Sequence, residues 1–183
     1  MADSPVQTKV KSLRWYRQYH KWFGLALILF FFLIGITSIL LAWKKKVELL
    51  PPTQKTKVES GTWILPSQMV RIGEEEMEKL GRDPEVDRID IRPDKGIAKV
   101  TFKTHFTEVQ VDGFSGEVLS VGTRHSDWIE KVHDGSIVDF YLNGDEGAKL
   151  TYSTLTSLGL IFLSFSGFFL WYYPKLIRRL KGK

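Results

Sequence analysis

The sequence predicts an α+β membrane protein: two transmembrane helices flank a small extracytoplasmic domain in which one helix packs on an antiparallel meander. Three observations predict it. Residues 22–43 and 152–173 are two runs of 22 residues without a single charge. Tyrosine and tryptophan bracket both runs. Between them lies one segment of helical periodicity followed by short segments of strict apolar–polar alternation, separated by Gly- and Pro-containing turns.

The average composition hides this division, since 26% of the 183 residues are charged. At 1.5 Å rise per residue, each charge-free run spans roughly 33 Å, slightly more than a hydrocarbon core. Core helices of soluble proteins are usually shorter and keep one polar face. These runs are apolar all round. Trp15, Tyr16, Tyr19, Trp22 and Phe23 lead into the first and Trp43 closes it; Tyr152 opens the second, and Trp171, Tyr172 and Tyr173 close it. Rings with an apolar body and a polar tip favour the headgroup level. The first run is too long for a signal-peptide core. Lys44, Lys45 and Lys46 follow it where small residues would mark a cleavage site, so it reads as an uncleaved anchor.

Charge sets the orientation. The tails, residues 1–21 and 174–183, together carry a net +9 against +5 for the whole chain, which leaves −4 for residues 44–151. Short basic tails stay in the cytoplasm, so both termini are expected there and the central domain outside. The three lysines at 44–46 pull weakly the other way. The excess of base is thus a membrane signature, directed at the bilayer and its anionic headgroups. A nucleic-acid partner would want that base on a folded face and is not expected. Cysteine is absent, which removes disulfides, thiol catalysis and iron–sulfur ligation.

Residues 44–62 read as a linker, because Pro51 and Pro52 cannot lie inside a helix. The domain is expected over 63–124. Ser67 is a candidate helix cap. Met69, Val70, Gly73, Met77 and Leu80 then follow at helical spacing, Glu74, Glu75, Glu76 and Glu78 form a solvated face, and Gly81 stops the helix. Ile89 and Ile91, then Ala98, Val100 and Phe102, then Val109 and Val111 alternate with polar residues. Turns fall at Pro93-Asp94-Lys95-Gly96 and at Asp112-Gly113-Phe114-Ser115-Gly116, and a last strand runs over 117–121. One face of such a sheet buries the helix, and the other is expected to meet water or a partner. Residues 125–151 are expected at the outer membrane surface, starting with a short amphipathic stretch that carries Trp128, Ile129 and Val132 on one side. The polar break Asn143-Gly144-Asp145-Glu146-Gly147 precedes the second span.

Several stretches resemble a known family. Arg17-Gln18-Tyr19-His20-Lys21-Trp22-Phe23-Gly24-Leu25, leading into a phenylalanine-rich helix with Gly35, resembles the start of PepSY-associated transmembrane proteins. Val111-Asp112-Gly113-Phe114-Ser115-Gly116-Glu117-Val118-Leu119 is similar to the strand–turn–strand signature of PepSY domains. Val132-His133-Asp134-Gly135, with Ser166-Gly167-Phe168-Phe169-Leu170-Trp171 further on, resembles the second-helix region. The resemblance covers residues 14–179. It implies a bacterial inner-membrane protein with a periplasmic PepSY domain. Some larger members are similar to siderophore or ferric reductases and carry haem on membrane histidines, and others have no assigned activity; this chain has one helix pair where the larger members have more.

The histidines are His20, His105, His125 and His133. Imidazole suits iron, so His20 and His133 are the candidate haem ligands, and no other metal set is expected. They are expected at opposite membrane faces, about 30 Å apart, and so unable to clamp one haem within a chain. Haem would then need a dimer, a partner protein or a non-histidine ligand. His125 and His133 lie eight residues apart, about 12 Å along a helix, too far to share an ion; His105 carries no expected role. Gly35, Ser38 and Ala42 on the first span, and Ser153, Ser157, Ser164 and Gly167 on the second, offer small surfaces for close helix packing.

No phosphate-binding loop, dinucleotide fingerprint, HExxH or GxSxG motif is present, so the isolated chain offers no catalytic set. Three functions follow as expectations. The first is a membrane-anchored binding or accessory module whose sheet meets another envelope protein or a peptide; the expected partners are the lipid bilayer and another envelope protein or a second copy of the chain. The second is a haem-binding electron-transfer component of periplasmic iron or siderophore reduction, active as an oligomer. The third is a structural subunit of a larger envelope complex.

Overall fold

The computed structural model describes residues 5–58, 61–142 and 144–181. Glu59 and Ser60 of the expected linker, Asn143 of the polar break and the ends of both basic tails lie outside the described residues. Two compact units form. One comprises residues 1–36 and 133–183, the other residues 37–132.

The first unit is built on two long helices, α1 (Pro5–Trp43) and α5 (Gly147–Lys181). Both outrun the charge-free segments. The flanking Lys, Arg and Gln residues are good helix formers, so helix continues through the basic stretches on either side. Residues Val10–Trp43 and Gly147–Arg179 are long and apolar enough to cross a membrane. Pro174 sits inside α5, where its missing N–H leaves the carbonyl of Leu170 without its usual helical donor.

The helices run antiparallel, as a ladder of contacts shows. Tyr16 meets Phe169 at 4.3 Å between ring centroids, Phe23 meets Phe162 at 4.8 Å and Phe30 meets Tyr152 at 5.8 Å. Small residues let the backbones approach between these rungs. A Cβ on Gly159 would fall on the Leu27 side chain, and one on Gly24 would touch Leu163 at 3.8 Å. Gly35 is different, because a Cβ there would meet nothing within 4 Å. Gly35, Ser38 and Ala42 are all exposed.

A short helix not expected from the sequence, α4 (Ser136–Leu142), precedes α5; it is numbered after α3 (His125–Asp134), which runs up to the same junction. Asp139 on α4 caps α5, accepting hydrogen bonds from the backbone N–H groups of Ala148 at 3.0 Å and Lys149 at 2.8 Å.

The second unit holds α2 (Pro66–Lys79) and four strands, β1 (Val86–Arg92), β2 (Ile97–Phe102), β3 (Thr107–Asp112) and β4 (Val118–Thr123), joined as an antiparallel meander in sequence order. Helix α2 is capped by Leu65 and starts on Pro66, so Ser67 lies in its first turn and is not the cap. Gln68 closes the start by accepting the Leu65 N–H at 3.0 Å. Gly81, at φ +65°, ends the helical stretch as expected. Met69, Gly73 and Met77 are buried; Leu80 is half-exposed, and Ile72 takes its place against the core.

That core is Met77, Val100, Phe102, Val109 and Val111, flanked by Ile72, Val86, Ile89 and Val118. Two register shifts recruit residues that simple alternation would turn away. A break between Val86 and Arg88 puts Val86 and Ile89 on the same face, opposite Phe102 and Val100. Another, where Gln110 faces Ser120 and Val111 faces Val118, does the same for Val118 and Val121.

The second face of the sheet departs most from expectation. Every residue of β2 and β3 is buried. Lys99, Thr101, Glu108 and Gln110 project away from the helix-packed face, and the segment 51–56 lies over them. The stretch expected to be a linker is a strap. Its backbone is tied down by Gln54 N–H donating to Gln110 Oε1 at 2.8 Å, by Pro52 O accepting from Gln110 Nε2 at 3.1 Å and by Thr56 N–H donating to Lys95 O at 2.9 Å. Pro51 packs where a Cβ on Gly122 would sit. At the turns, Gly96 (φ +66°) leaves room for the Thr56 side chain and Gly113 for the Trp63 ring.

Candidate functional site

Three polar constellations are buried, one under the strap and two within the helix pair. Beneath the strap, Glu108 is fully buried and is met from three sides. Lys99 Nζ donates to its Oε1 at 3.1 Å, Gln110 Nε2 donates to the same oxygen at 2.8 Å, and Arg124 Nη1 donates to Oε2. Lys99 also reaches Thr53 Oγ1 at 3.0 Å, and Arg124 grips Asp127 of α3 through Nε at 2.6 Å. Burial pulls the Arg124 guanidinium down. The carboxylates of Asp127 and Glu108 outweigh that effect and hold it above its usual value. Every carboxylate oxygen of Glu108 has a donor, and the strap closes the network from above. Sequence pattern missed it, because alternating polar residues on a strand look the same under solvent as under a strap. The one available signal was Pro51-Pro52-Thr53-Gln54, a stretch suited to extended backbone and therefore to lying along a sheet.

Nearby, Asp112 organises the second turn. Burial pushes its carboxyl up, but hydrogen bonds from the Thr56 hydroxyl and from the Phe114 and Ser115 amides prevail and hold it below the usual carboxylate range.

In the helix unit, His20 on α1 faces α5. Its Nδ1 lies 2.7 Å from Ser166 Oγ, and Gly167 clears space beside its Cε1. Ser166 Oγ also lies 3.3 Å from the Leu163 carbonyl, which has no proton to give. The serine hydroxyl has one proton to give, to Leu163 or to His20 Nδ1, so the contact holds the imidazole ring in place and leaves either tautomer open to it. Ligating histidines are commonly oriented by a hydrogen bond at their second nitrogen, and Ser166 is placed to give His20 such a contact. Ser166 lies 146 residues from His20, and no sequence spacing connects them.

His133, at the end of α3, lines a cavity with Asp134, Phe31 and Tyr152. It does not meet His20. Ser166 beside His20 and Ser153 beside His133 are thirteen residues apart on α5, about 20 Å of helix. Were the protein to hold a haem, His20 and His133 could not both bind it within one chain, and His20 would need a second ligand from elsewhere. The other two histidines lie elsewhere. His105, after β2, places Nε2 2.9 Å from Asp83 O, and His125 is exposed at the start of α3. On the stretch expected to lie at the membrane surface, Ile129 and Ser126 are buried, Trp128 is half-exposed, and the Ser126 N–H donates to Leu49 O at 2.9 Å. Among the described residues no three His, Asp or Glu side chains gather closely enough to hold a metal ion.

Two apolar helices, each of membrane-crossing length, with a helix-on-meander domain between them in sequence, define a two-span membrane protein of α+β type. A family model described as "PepSY-associated TM region" matches residues 17–181, and the chain belongs to that family. Comparison with curated proteins gives no match.

Proposed function

We propose that this PepSY-associated membrane protein is an accessory module of the bacterial inner membrane. Both termini lie in the cytoplasm, the PepSY domain lies on the outer side, and the chain acts by associating with another envelope protein or a second copy. The contact expected of the sheet passes to the first span, since both faces of β2 and β3 are covered by the chain itself. The observation that carries this reading is the open stripe of Gly35, Ser38 and Ala42. These residues occupy one face of α1, are exposed, and at Gly35 leave space that no side chain fills among the described residues. Membrane helices associate through such small-residue faces. The basic tails support the orientation.

Two experiments test it. The chain has no cysteine, so single cysteines report topology cleanly. An impermeant maleimide added to intact cells should label a cysteine at Glu117 and leave one at Lys183 untouched. The reverse pattern would overturn the orientation. Chemical cross-linking in native membranes should give a defined higher-mass species. A stable, stoichiometric one with a second protein would favour the structural-subunit reading, and a chain that stays solitary would defeat association altogether.

The His20–Ser166 pair favours a second reading, a haem-binding electron-transfer component. His20 would hold the iron through Nε2, and the haem would supply one-electron chemistry. In a two-fold dimer a second His20 would provide the other axial ligand. A Soret band in protein purified from haem-replete membranes, lost in His20→Ala, would support it. Colourless protein would refute it.

A further inference from the structure

Lys44, Lys45 and Lys46 follow directly on the membrane-crossing stretch of α1, which ends at Trp43. The function proposed above gives them no part. Lysines just beyond a helix often meet its last carbonyls. Here backbone N–H groups meet them instead. Leu41 O accepts from the Lys44 N–H at 3.4 Å, and Trp43 O accepts from the N–H groups of Lys46 at 2.7 Å and Val47 at 3.1 Å. The turn closes with the Leu49 N–H donating to Lys44 O at 2.9 Å and with Glu48 at φ +56°. Leu49 O accepts in turn from the Ser126 N–H at 2.9 Å, so the turn is fastened to the sheet unit.

The three ammonium groups also lack a counter-charge. Lys79, Lys95, Lys99 and Lys103 of the same unit each have a carboxylate oxygen between 2.6 and 3.3 Å away. Among the described residues no carboxylate lies within ion-pair reach of Lys44, Lys45 or Lys46, and residues 44–58 hold five lysines against Glu48 alone. Lys46 Nζ stands 5.7 Å from the centre of the Trp43 ring, a contact that leaves its charge uncompensated.

All three lysines line one depression of about 440 Å³, and Leu41, Ala42 and Trp43 complete its wall. The depression is open, and Ala42, Trp43, Lys45 and Lys46 are exposed. Charge and wall select the occupant. Each ammonium brings three N–H donors, which suits an anion rich in acceptor oxygens, as phosphate is. A zwitterionic headgroup would bring its own cation into the same space. Leu41, Ala42 and Trp43 belong to the last turn of the span, at the depth where headgroups give way to acyl chains. A free anion would leave that apolar wall uncovered; a lipid covers it. The volume falls within the ~300–1,000 Å³ of small-molecule sites.

We infer that this depression binds an anionic glycerophospholipid, with Lys44, Lys45 and Lys46 around its phosphate and Leu41 and Trp43 against the start of its acyl chain. The site needs α1 to cross the bilayer. It needs neither the orientation nor the association proposed above, and Gly35 lies about 10 Å further along the helix. A lipid phosphate as counter-ion also accounts for three lysines at an end of α1 that is expected to face outward.

The test is photolabelling of the full-length protein in phosphatidylcholine nanodiscs doped with phosphatidylglycerol that carries a diazirine high on one acyl chain, mapped by mass spectrometry. Label should concentrate on residues 41–46 and fall when unlabelled phosphatidylglycerol is added. Combining Lys44→Gln, Lys45→Gln and Lys46→Gln should reduce it at least tenfold, at roughly fivefold for each lysine lost. Combining Lys44→Arg, Lys45→Arg and Lys46→Arg should keep it. Both variants should melt with the wild type, since none of the three lysines makes an ion pair within the described fold. Lys175→Gln with Arg178→Gln, near the end of the other span, should leave label at 41–46 unchanged. Equal labelling by diazirine-phosphatidylcholine, or label indifferent to the glutamine variant, would overturn the inference. So would displacement by inorganic phosphate alone, which would make the ligand a free anion.

Discussion

In the sheet unit, Glu108 receives hydrogen bonds from Lys99, Gln110 and Arg124, and the strap over 51–56 shuts water out. In the helix unit, His20 is held at one nitrogen only, and the Tyr152 hydroxyl is held by nothing among the described residues. Both units bury polar atoms; the Glu108 cluster is saturated, whereas His105 Nδ1 and Ser120 Oγ elsewhere in the sheet unit, like the Tyr152 hydroxyl, are buried without a hydrogen-bond partner among the described residues. A saturated network can do little except fix a shape. Buried groups with open valences are tolerated where something outside the chain completes them. The saturated cluster gives the polar face of β2 and β3 a structural part, the opposite of what an exposed sheet face would have suggested.

The sharpest way to break that division is to open the saturated network. Glu108→Ala leaves Lys99 and Arg124 facing each other under the strap without a counter-charge. Losing one partner of a buried ionic cluster costs about 3–5 kcal/mol, so thermal unfolding of the full chain should show a clearly lowered melting temperature. A variant as stable as the wild type would mean the network is hydrated and the strap loose. Next in size is Gly96→Ala, which strains a left-handed residue (φ +66°) and drives a methyl into Thr56. A loss of about 1–3 kcal/mol is expected, with the strap becoming open to limited proteolysis before the sheet unfolds.

The helix unit should respond differently. Ser166→Ala should leave folding nearly unchanged, because the serine is replaced by a smaller residue at a tolerant helix position. If His20 holds haem, the same change should weaken haem retention about 10–100-fold by releasing the ring from its hydrogen bond. Loss of fold without loss of haem would reverse the assignment.

The smallest effect is a pH dependence. The Asp112 carboxyl is held below its usual range in the folded protein, so the unfolded chain binds a proton first as pH falls. Its contribution is fully present above about pH 4 and is lost as pH drops through the lower folded value. Asp112→Asn should be less stable at neutral pH and show a shallower acid destabilisation, measured by denaturant titration across pH 2–6.

The membrane helices were legible in the sequence because a charge-free run of spanning length, bounded by aromatics, suits a bilayer and little else. The meander was legible because Ala98-Val100-Phe102 and Val109-Val111 alternate cleanly between glycine turns. Whatever depends on contact across long separations was hidden. Pro51 and Pro52 signal the absence of helix, and nothing in them says that the chain lies along a sheet more than fifty residues away. The shifts near Val86 and Val118 move valines onto the core face without changing composition. The cap at Leu65 escaped notice because Ser67 is the residue type that usually caps. His20 was legible as a candidate from its residue type and its place beside a span. Its contact with Ser166 was not, since 146 residues separate the two. Tyr152 was visible only as one of several interfacial aromatics; its isolation emerges once Gly135 and Phe30 are seen to clamp the ring.

The central claim is that the chain works through association along the open face of α1. A cysteine at Gly35, carrying a benzophenone and irradiated in native membranes, tests it most directly. Leu29→Cys, exposed and about 120° round the same helix, is the control. A discrete adduct from position 35 and only lipid products from position 29 is the predicted result. Equal lipid labelling at both positions, with no protein adduct at 35, would contradict the claim.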